Sequence, residues 1–235
     1  DHPDLASAYT SLGGVWNEKG DNDKAMEYYE KALAIILKAF EENHPDVAIA
    51  YNNVGLVWSE KGDNNKAIEY YEKALASNLK SLGEDPSDVM INYNNLGEAW
   101  SEKGDNDKAI EYYKKALAIN LKSLGEEHSN TTLMQFKIGA VLIKQKKYKA
   151  AIDLLKKGFE IDKNSGGYPF KLAVCYENLE QFQQAIDYYI LSAIIRKDGV
   201  GIEHEATQNA IKNACRLAKK SNNIKLLPPW INKLQ

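Results

Sequence analysis

The chain of 235 residues predicts an all-α fold, a solenoid of about six helix-turn-helix units. Three observations carry this. Trp16, Trp58 and Trp100 stand 42 residues apart, and Gly13, Gly55 and Gly97, the turn glycines Gly20, Gly62 and Gly104, and Ala25, Ala67 and Ala109 keep the same step. Inside each period the apolar residues recur at helical rather than strand spacing. A helix pair of this size cannot bury its apolar face alone, so the pairs must stack.

The units run approximately over 2–43, 44–85, 86–127, 128–161, 162–203 and 204–235, one continuous repeat solenoid whose last member is a partial cap. In the second, Val47, Tyr51, Val54, Leu56 and Trp58 pattern a helix from Pro45 to about Lys61, which Gly62-Asp63 stops. A second helix starts at about Asn64, capped by Asp63, and carries Ala67, Ile68, Tyr71, Ala74, Leu75 and Leu79. The Gly-Glu phrase at Gly83 or Gly125 ends such a helix. The first and third units repeat the pattern, including the Tyr-Tyr pairs at 28/29, 70/71 and 112/113.

The fourth copy is degraded: Gly139 and Ala151 keep their places, while Leu142 replaces the tryptophan and Leu155 the second tyrosine. The next equivalent alanine, Ala185, comes 34 residues on and is followed by Tyr188 and Tyr189, so the fourth unit is eight residues shorter. In the sixth unit Cys215 fills the small-residue slot and Pro228-Pro229 interrupts the second helix. Lysines from Lys212 to Lys225 give the polar outer surface a terminal repeat needs.

Composition excludes more than it assigns. With 44% apolar and 27% charged residues and a net charge of −3, the chain reads as a soluble globular protein and not as a nucleic-acid binder. No apolar run reaches the roughly 18 residues of a membrane helix, and no export leader is visible. Two cysteines, Cys175 and Cys215, are too few for a disulfide framework, which predicts a cytoplasmic protein. The opening Asp1-His2-Pro3-Asp4 recurs near residue 44, so the chain reads as a piece of a longer protein.

Candidate chemistry resolves into structural roles. His2, His44, His128 and His204 share one repeat phase, at the entrance of a first helix. Four ligands strung along a solenoid cannot converge at the ~2 Å bonds zinc requires, so they predict caps. The turns at Gly20-Asp21-Asn22-Asp23 and its copies imitate a calcium loop. Counted from Asp21, however, the sixth and twelfth positions hold Met26 and Ala32 where Gly and Glu are needed. Both cysteines sit at or near the small-residue slot, as small buried apolar groups do. No nucleophile elbow, P-loop or dinucleotide fingerprint occurs. The aromatic schedule belongs to the core, since base-stacking platforms need basic neighbours and the aromatic-rich units are acidic. We therefore expect no catalytic residue, no metal and no cofactor.

The order Gly55, Trp58, Ala67, Tyr71, Ala74, led in by Tyr51 and Val54, resembles the tetratricopeptide repeat. The 42-residue step, the His-Pro-Asp opening, the Asn-Asn pair before the small residue and the Leu-Gly-Glu connector resemble its longer variety, typified by kinesin light chain. The resemblance covers residues 1 to 220 and implies a right-handed solenoid whose first helices line a concave, peptide-binding groove. It implies that Asn53 and Asn95 hold the backbone of an extended peptide, with Asn52 and Asn94 either joining them or bonding neighbouring helices. The same phase holds Thr10 and Ser11, Phe136 and Lys137, Phe170 and Lys171, and Lys212 and Asn213. The position after the small residue holds Leu56, Glu98 and Arg216. One subclass clamps a C-terminal carboxylate with Lys and Asn, but Thr10 and Gly14 stand there instead.

Charge is polarised along the chain. Residues 1–127 hold 13 Lys and Arg against 24 Asp and Glu, and residues 128–235 hold 17 against 9. The expected function is a non-catalytic interaction scaffold, an adaptor for a protein or extended peptide with an acidic portion toward the later units, where Lys137, Lys171 and Arg216 lie. It binds neither nucleic acid nor membrane. Head-to-tail self-association is a second possibility. The other class is a sensor or regulatory arm of a larger effector, since repeats of this family are often attached to ATPase-switch or caspase-like protease domains.

Overall fold

The computed structural model describes residues 3–81 and 86–232. They fall into two compact units, 1–123 and 124–235. Unit 1 contains six helices: α1 (Pro3–Glu18), α2 (Asn22–Ala39), α3 (Pro45–Glu60), α4 (Asn64–Ser81), α5 (Pro86–Lys103) and α6 (Asn106–Ser123). Each packs on its sequence neighbours, the closest pairs being α1 with α2, α3 with α4 and α5 with α6. Unit 2 contains α7 (Ser129–Lys144), α8 (Tyr148–Ile161), α9 (Gly167–Asn178), α10 (Phe182–Val200) and α11 (Glu205–Lys220), then a 3-10 turn at Ile224–Leu226 and the single-turn α12 (Pro229–Asn232). Among the described residues there is no strand, and 83% of them are helical.

The expected boundaries for the second helix pair hold, and the punctuation explains them. Asp21, Asp63 and Asp105 accept through Oδ1 from the backbone N–H of Lys24, Lys66 and Lys108, at 3.2, 3.1 and 3.1 Å. Each satisfies an amide that the first turn of a helix leaves unpaired. The histidines are caps too: Nδ1 of His44, His128 and His204 accepts from the backbone N–H two residues on, at 3.2, 3.1 and 3.2 Å. The expectations for His2 and Gly83 lie outside the described residues.

The turn inside each pair needs one left-handed residue. Gly20, Gly62 and Gly104 supply it at φ of 75°, 79° and 92°. In the degraded copies Lys146, Glu180 and Asn222 hold φ of 59°, 59° and 58° at the same phase, a conformation that costs a side-chain-bearing residue about 1 kcal/mol or more.

The small-residue slot has a physical cause. A Cβ on Gly13, Gly55 or Gly97 would stand 2.6 to 2.8 Å from the ring of Tyr29, Tyr71 or Tyr113 on the paired helix. At Gly139 the clash would be with Leu155, at 2.8 Å. The tyrosine ring lies on the backbone of the first helix and excludes a side chain there.

Two core assignments change. Val57, fully buried, carries the inward phase of α3, and Leu56 is 40% exposed. Of the tryptophans only Trp100, at 8% exposure, is buried, whereas Trp16 and Trp58 are half-buried. Each indole lies at the edge of its pair beneath a lysine of the second helix. Lys24, Lys66 and Lys108 stand 3.9, 3.7 and 3.8 Å from the ring centroids of Trp16, Trp58 and Trp100. In unit 2, Cys175 is fully buried and Cys215 nearly so. Leu227 and Ile231 bury the chain on either side of the proline pair, so a turn and one helical turn stand in for the sixth second helix.

Candidate protein interaction face

The first helix of each pair buries one stripe and leaves another open. On α3 the open stripe is Ile49, Asn52, Asn53 and Leu56, and on α5 it is Ile91, Asn94, Asn95 and Glu98. Ile49 and Ile91 are 52% and 45% exposed, and Leu133, one period on in α7, is 45% exposed. Aliphatic side chains this exposed at a fixed phase are the feature that sequence reading missed. The available signal was an apolar residue at the 42-residue step outside the buried stripe.

The four asparagines divide. The side chain of Asn53 makes no hydrogen bond among the described residues and is half-buried on this stripe, with an amide that can both donate and accept. Asn52 instead accepts through Oδ1 from Asn92 Nδ2 at 3.0 Å, and Asn92 Oδ1 accepts from Asn78 Nδ2 at 2.7 Å. Asn78 and Asn92 are buried, and their chain of amides ties α3, α4 and α5 together. Asn94 Nδ2 donates to Asn95 Oδ1 at 3.3 Å. The buried pair also escaped sequence reading, although Asn92 stands in the phase that Ala50 occupies one repeat earlier.

Cavities open at matching places in the two units. In unit 1 a cavity of about 310 Å³ lies between α1, the end of α2 and the start of α3, lined by Ser7, Thr10, Ser11, Phe40 and Ile49. In unit 2 one of about 410 Å³ is lined by Leu133, Phe136, Asp162, Ser165 and Tyr168. Leu133 and Phe136 hold the phases of Ser7 and Thr10, so at these two positions a polar pair in unit 1 is replaced by an apolar pair in unit 2.

The basic residues of unit 2 are not equivalent. Arg216 Nη2 donates to both carboxylate oxygens of Glu177, at 2.7 and 2.9 Å, so its charge is matched within the unit. Tyr189 donates its hydroxyl to the same carboxylate at 3.0 Å. Lys171 is half-buried. Burial pulls its ammonium below the usual lysine range, and the like charge of Lys144 adds to this. Lys137 lies half-buried on α7. In unit 1 Glu98 is exposed. Tyr71 and Tyr113 are pushed above the usual tyrosine range by burial first and then by neighbouring carboxylates, Glu98 among them for both. No group of three or more His, Cys, Asp or Glu among the described residues is placed to hold a metal ion. No helix among the described residues is long and apolar enough to cross a membrane.

Two models of the tetratricopeptide repeat match the sequence, one over residues 4–80 and 88–164 and one over residues 170–192. Comparison with curated proteins gives no match. Among solved structures, a putative kinesin light chain from Podosopora anserina with nearly identical repeats aligns at a TM-score of 0.75 and 20% identity. The alignment covers 85% of this chain and 99% of that one. BtubC from P. vanneervenii aligns at 0.68 and 15% identity, over 94% and 84%. YrrB, described as a repeat protein of this type with an unusual peptide-binding site, aligns at 0.59 and 18% identity, over 87% and 90%. At these identities the likeness is one of fold.

Proposed function

The chain belongs to the tetratricopeptide repeat family, and from that premise we propose that it is a non-catalytic scaffold that binds an extended segment of another protein along the open stripe of its first helices. The fold is generally a scaffold for protein association. The observation that carries the reading for this chain is the contrast within each first helix. One stripe is packed to near-zero exposure, while exposed Ile49, Leu56, Ile91 and Glu98, with half-buried Asn53 and Asn95 among them, form another, apolar and amide-bearing. A peptide backbone needs paired donors and acceptors, which Asn53 and Asn95 offer. Its side chains need apolar surface, which the two isoleucines offer. Asn52 and Asn94 support that stripe. In unit 2 the corresponding residues are Lys137, Lys171 and Arg216, and the uncompensated charge of Lys171 favours an acidic portion of the partner there.

The test replaces Asn53→Ala and Asn95→Ala together. Circular dichroism is expected to be unchanged, because neither amide bonds between helices. Affinity for a partner captured by pull-down is expected to fall by about 1 to 3 kcal/mol. Unchanged affinity would move the site off this stripe.

A further inference from the structure

The first helices share a stripe at one repeat phase, and among the described residues α1 alone leaves it in solvent. On α3 the stripe is Val47, Ala50, Val54 and Val57, and on α5 it is Val89, Asn92, Leu96 and Ala99. On α11 it is Thr207, Ala210, Ala214 and Leu217, and none of these twelve residues is more than 3% exposed. The same phase on α1 holds Leu5, Ala8, Leu12 and Val15. Ala8 is exposed, and the other three are 42%, 41% and 46% exposed.

Elsewhere the second helix of the preceding pair covers this stripe: α3 packs on α2, α5 on α4, α9 on α8 and α11 on α10. The packing of α3 on α2 is antiparallel, since Lys61, just past the C-terminus of α3, pairs with Asp23 in the first turn of α2. Lys19, exposed just past the end of α1, stands at the phase of Lys61. Exposed apolar residues scattered singly over a surface are ordinary. Four at i, i+3, i+7 and i+10 on one flank form the seam of a helix–helix interface. The flank is distinct from the open stripe, because Ile49, Asn53 and Leu56 correspond to Ser7, Ser11 and Gly14 on α1.

We propose that the outer flank of α1 docks an amphipathic helix of a partner protein. The helix runs antiparallel to α1, lays a stripe of small and aliphatic residues on Leu5, Ala8, Leu12 and Val15, and brings an acid of its first turn to Lys19. The interface so formed continues the one that α2 makes on α3. The apolar seam supplies the affinity, and the acid fixes the direction. A second copy of the chain cannot offer α2, α4, α8 or α10, because each is already packed on both sides by a first helix.

The test uses the whole chain and a fluorescein-labelled peptide of residues 21–40, the sequence of α2 with its cap, as the probe helix. A free peptide of this length is a marginal helix and is expected to gain helicity as it binds. Leu12→Asp with Val15→Asp is expected to weaken binding about tenfold or more. Leu79→Asp with Leu121→Asp, at leucines 40% and 41% exposed on second helices, is expected to leave it intact. Lys19→Asp is expected to weaken binding about threefold, and Asp23→Lys in the peptide to restore it. That swap alters only exposed groups, so it separates docking from folding. Absence of binding, equal loss in both double variants, or a swap that restores nothing overturns the proposal. So does a dimer of the chain alone that Leu12→Asp with Val15→Asp dissociates in sedimentation, which would make a second copy the occupant.

Discussion

A single missing carbon sets the geometry of each helix pair. Gly97 lies beneath the ring of Tyr113, and a Cβ there would stand 2.6 Å from it, with Tyr113 itself only 3% exposed. Gly97→Ala is therefore expected to cost about 1 to 3 kcal/mol, read as a lower urea midpoint with an unchanged slope. The repeat step marks such positions in the sequence, because a glycine kept in helix mid-phase four times needs a reason beyond turn-making. The turn residues were less legible. Gly20, Gly62 and Gly104 announce themselves, but nothing about Lys146, Glu180 or Asn222 as residue types signals a left-handed conformation. Only counting from the glycines places them. The histidines were legible as caps from phase alone, since all four stand one step before a first helix. The three described ones accept the amide two residues on.

At the scale of the helix, amphipathic period gives each element and its boundaries but not which flank of an apolar stripe is covered. Leu56 and Val57 are adjacent and equally apolar. One is 40% exposed and the other buried, because α3 is packed against α2 and α4 and left open on the remaining side. The same limit hid Ile49 and Ile91. Buried amides are harder still. Asn78 and Asn92 are tolerable in the core because each has a partner, a fact of three-dimensional pairing that residue type does not reveal.

Burial of titratable groups in the helix pairs has a consequence in alkali. Burial pushes the Cys175 thiol from its usual 9.0 up to about 11, partly offset by Lys171, and raises the phenols of Tyr71 and Tyr189 above their usual 10.0. In each case the unfolded chain releases its proton at a lower pH than the folded one. The stabilising contribution is therefore fully present below about pH 9 and is lost as pH rises through the folded values. Urea midpoints measured between pH 7 and 11 are expected to be level to about pH 9 and to fall beyond it. Tyr71→Phe with Tyr189→Phe is expected to flatten the decline above pH 10.

For the whole molecule, the near-neutral charge of −3 conceals two units of opposite sign. Unit 1 has 22 acids to 13 bases, and unit 2, residues 124–235, has 11 to 17. That asymmetry was readable by counting, and the repeat phase told which charges stand on first helices. What counting does not give is which of them are already paired. Arg216, a basic groove residue by phase, is held by Glu177, while Lys171 has no carboxylate acting on it. Opposed charges in a binding scaffold set partner direction and association rate more than affinity. A scaffold of repeats commits its repeated positions to packing, and the positions that change from copy to copy remain to distinguish partners. On the proposed reading of this chain those are Thr10 to Asn52 to Asn94 and Gly14 to Leu56 to Glu98.

The most direct measurement of the binding role places a photo-cross-linking residue at 53 or 95 on the first helices, and at 69 or 111 on the second helices of the same pairs. Adducts formed in cell extract are then identified by mass. A common partner joined from 53 and 95 and absent from 69 and 111, with its cross-linked residues falling in one continuous stretch of its sequence, is the result the account predicts. The same partner joined from the second helices and missing from the first would contradict it.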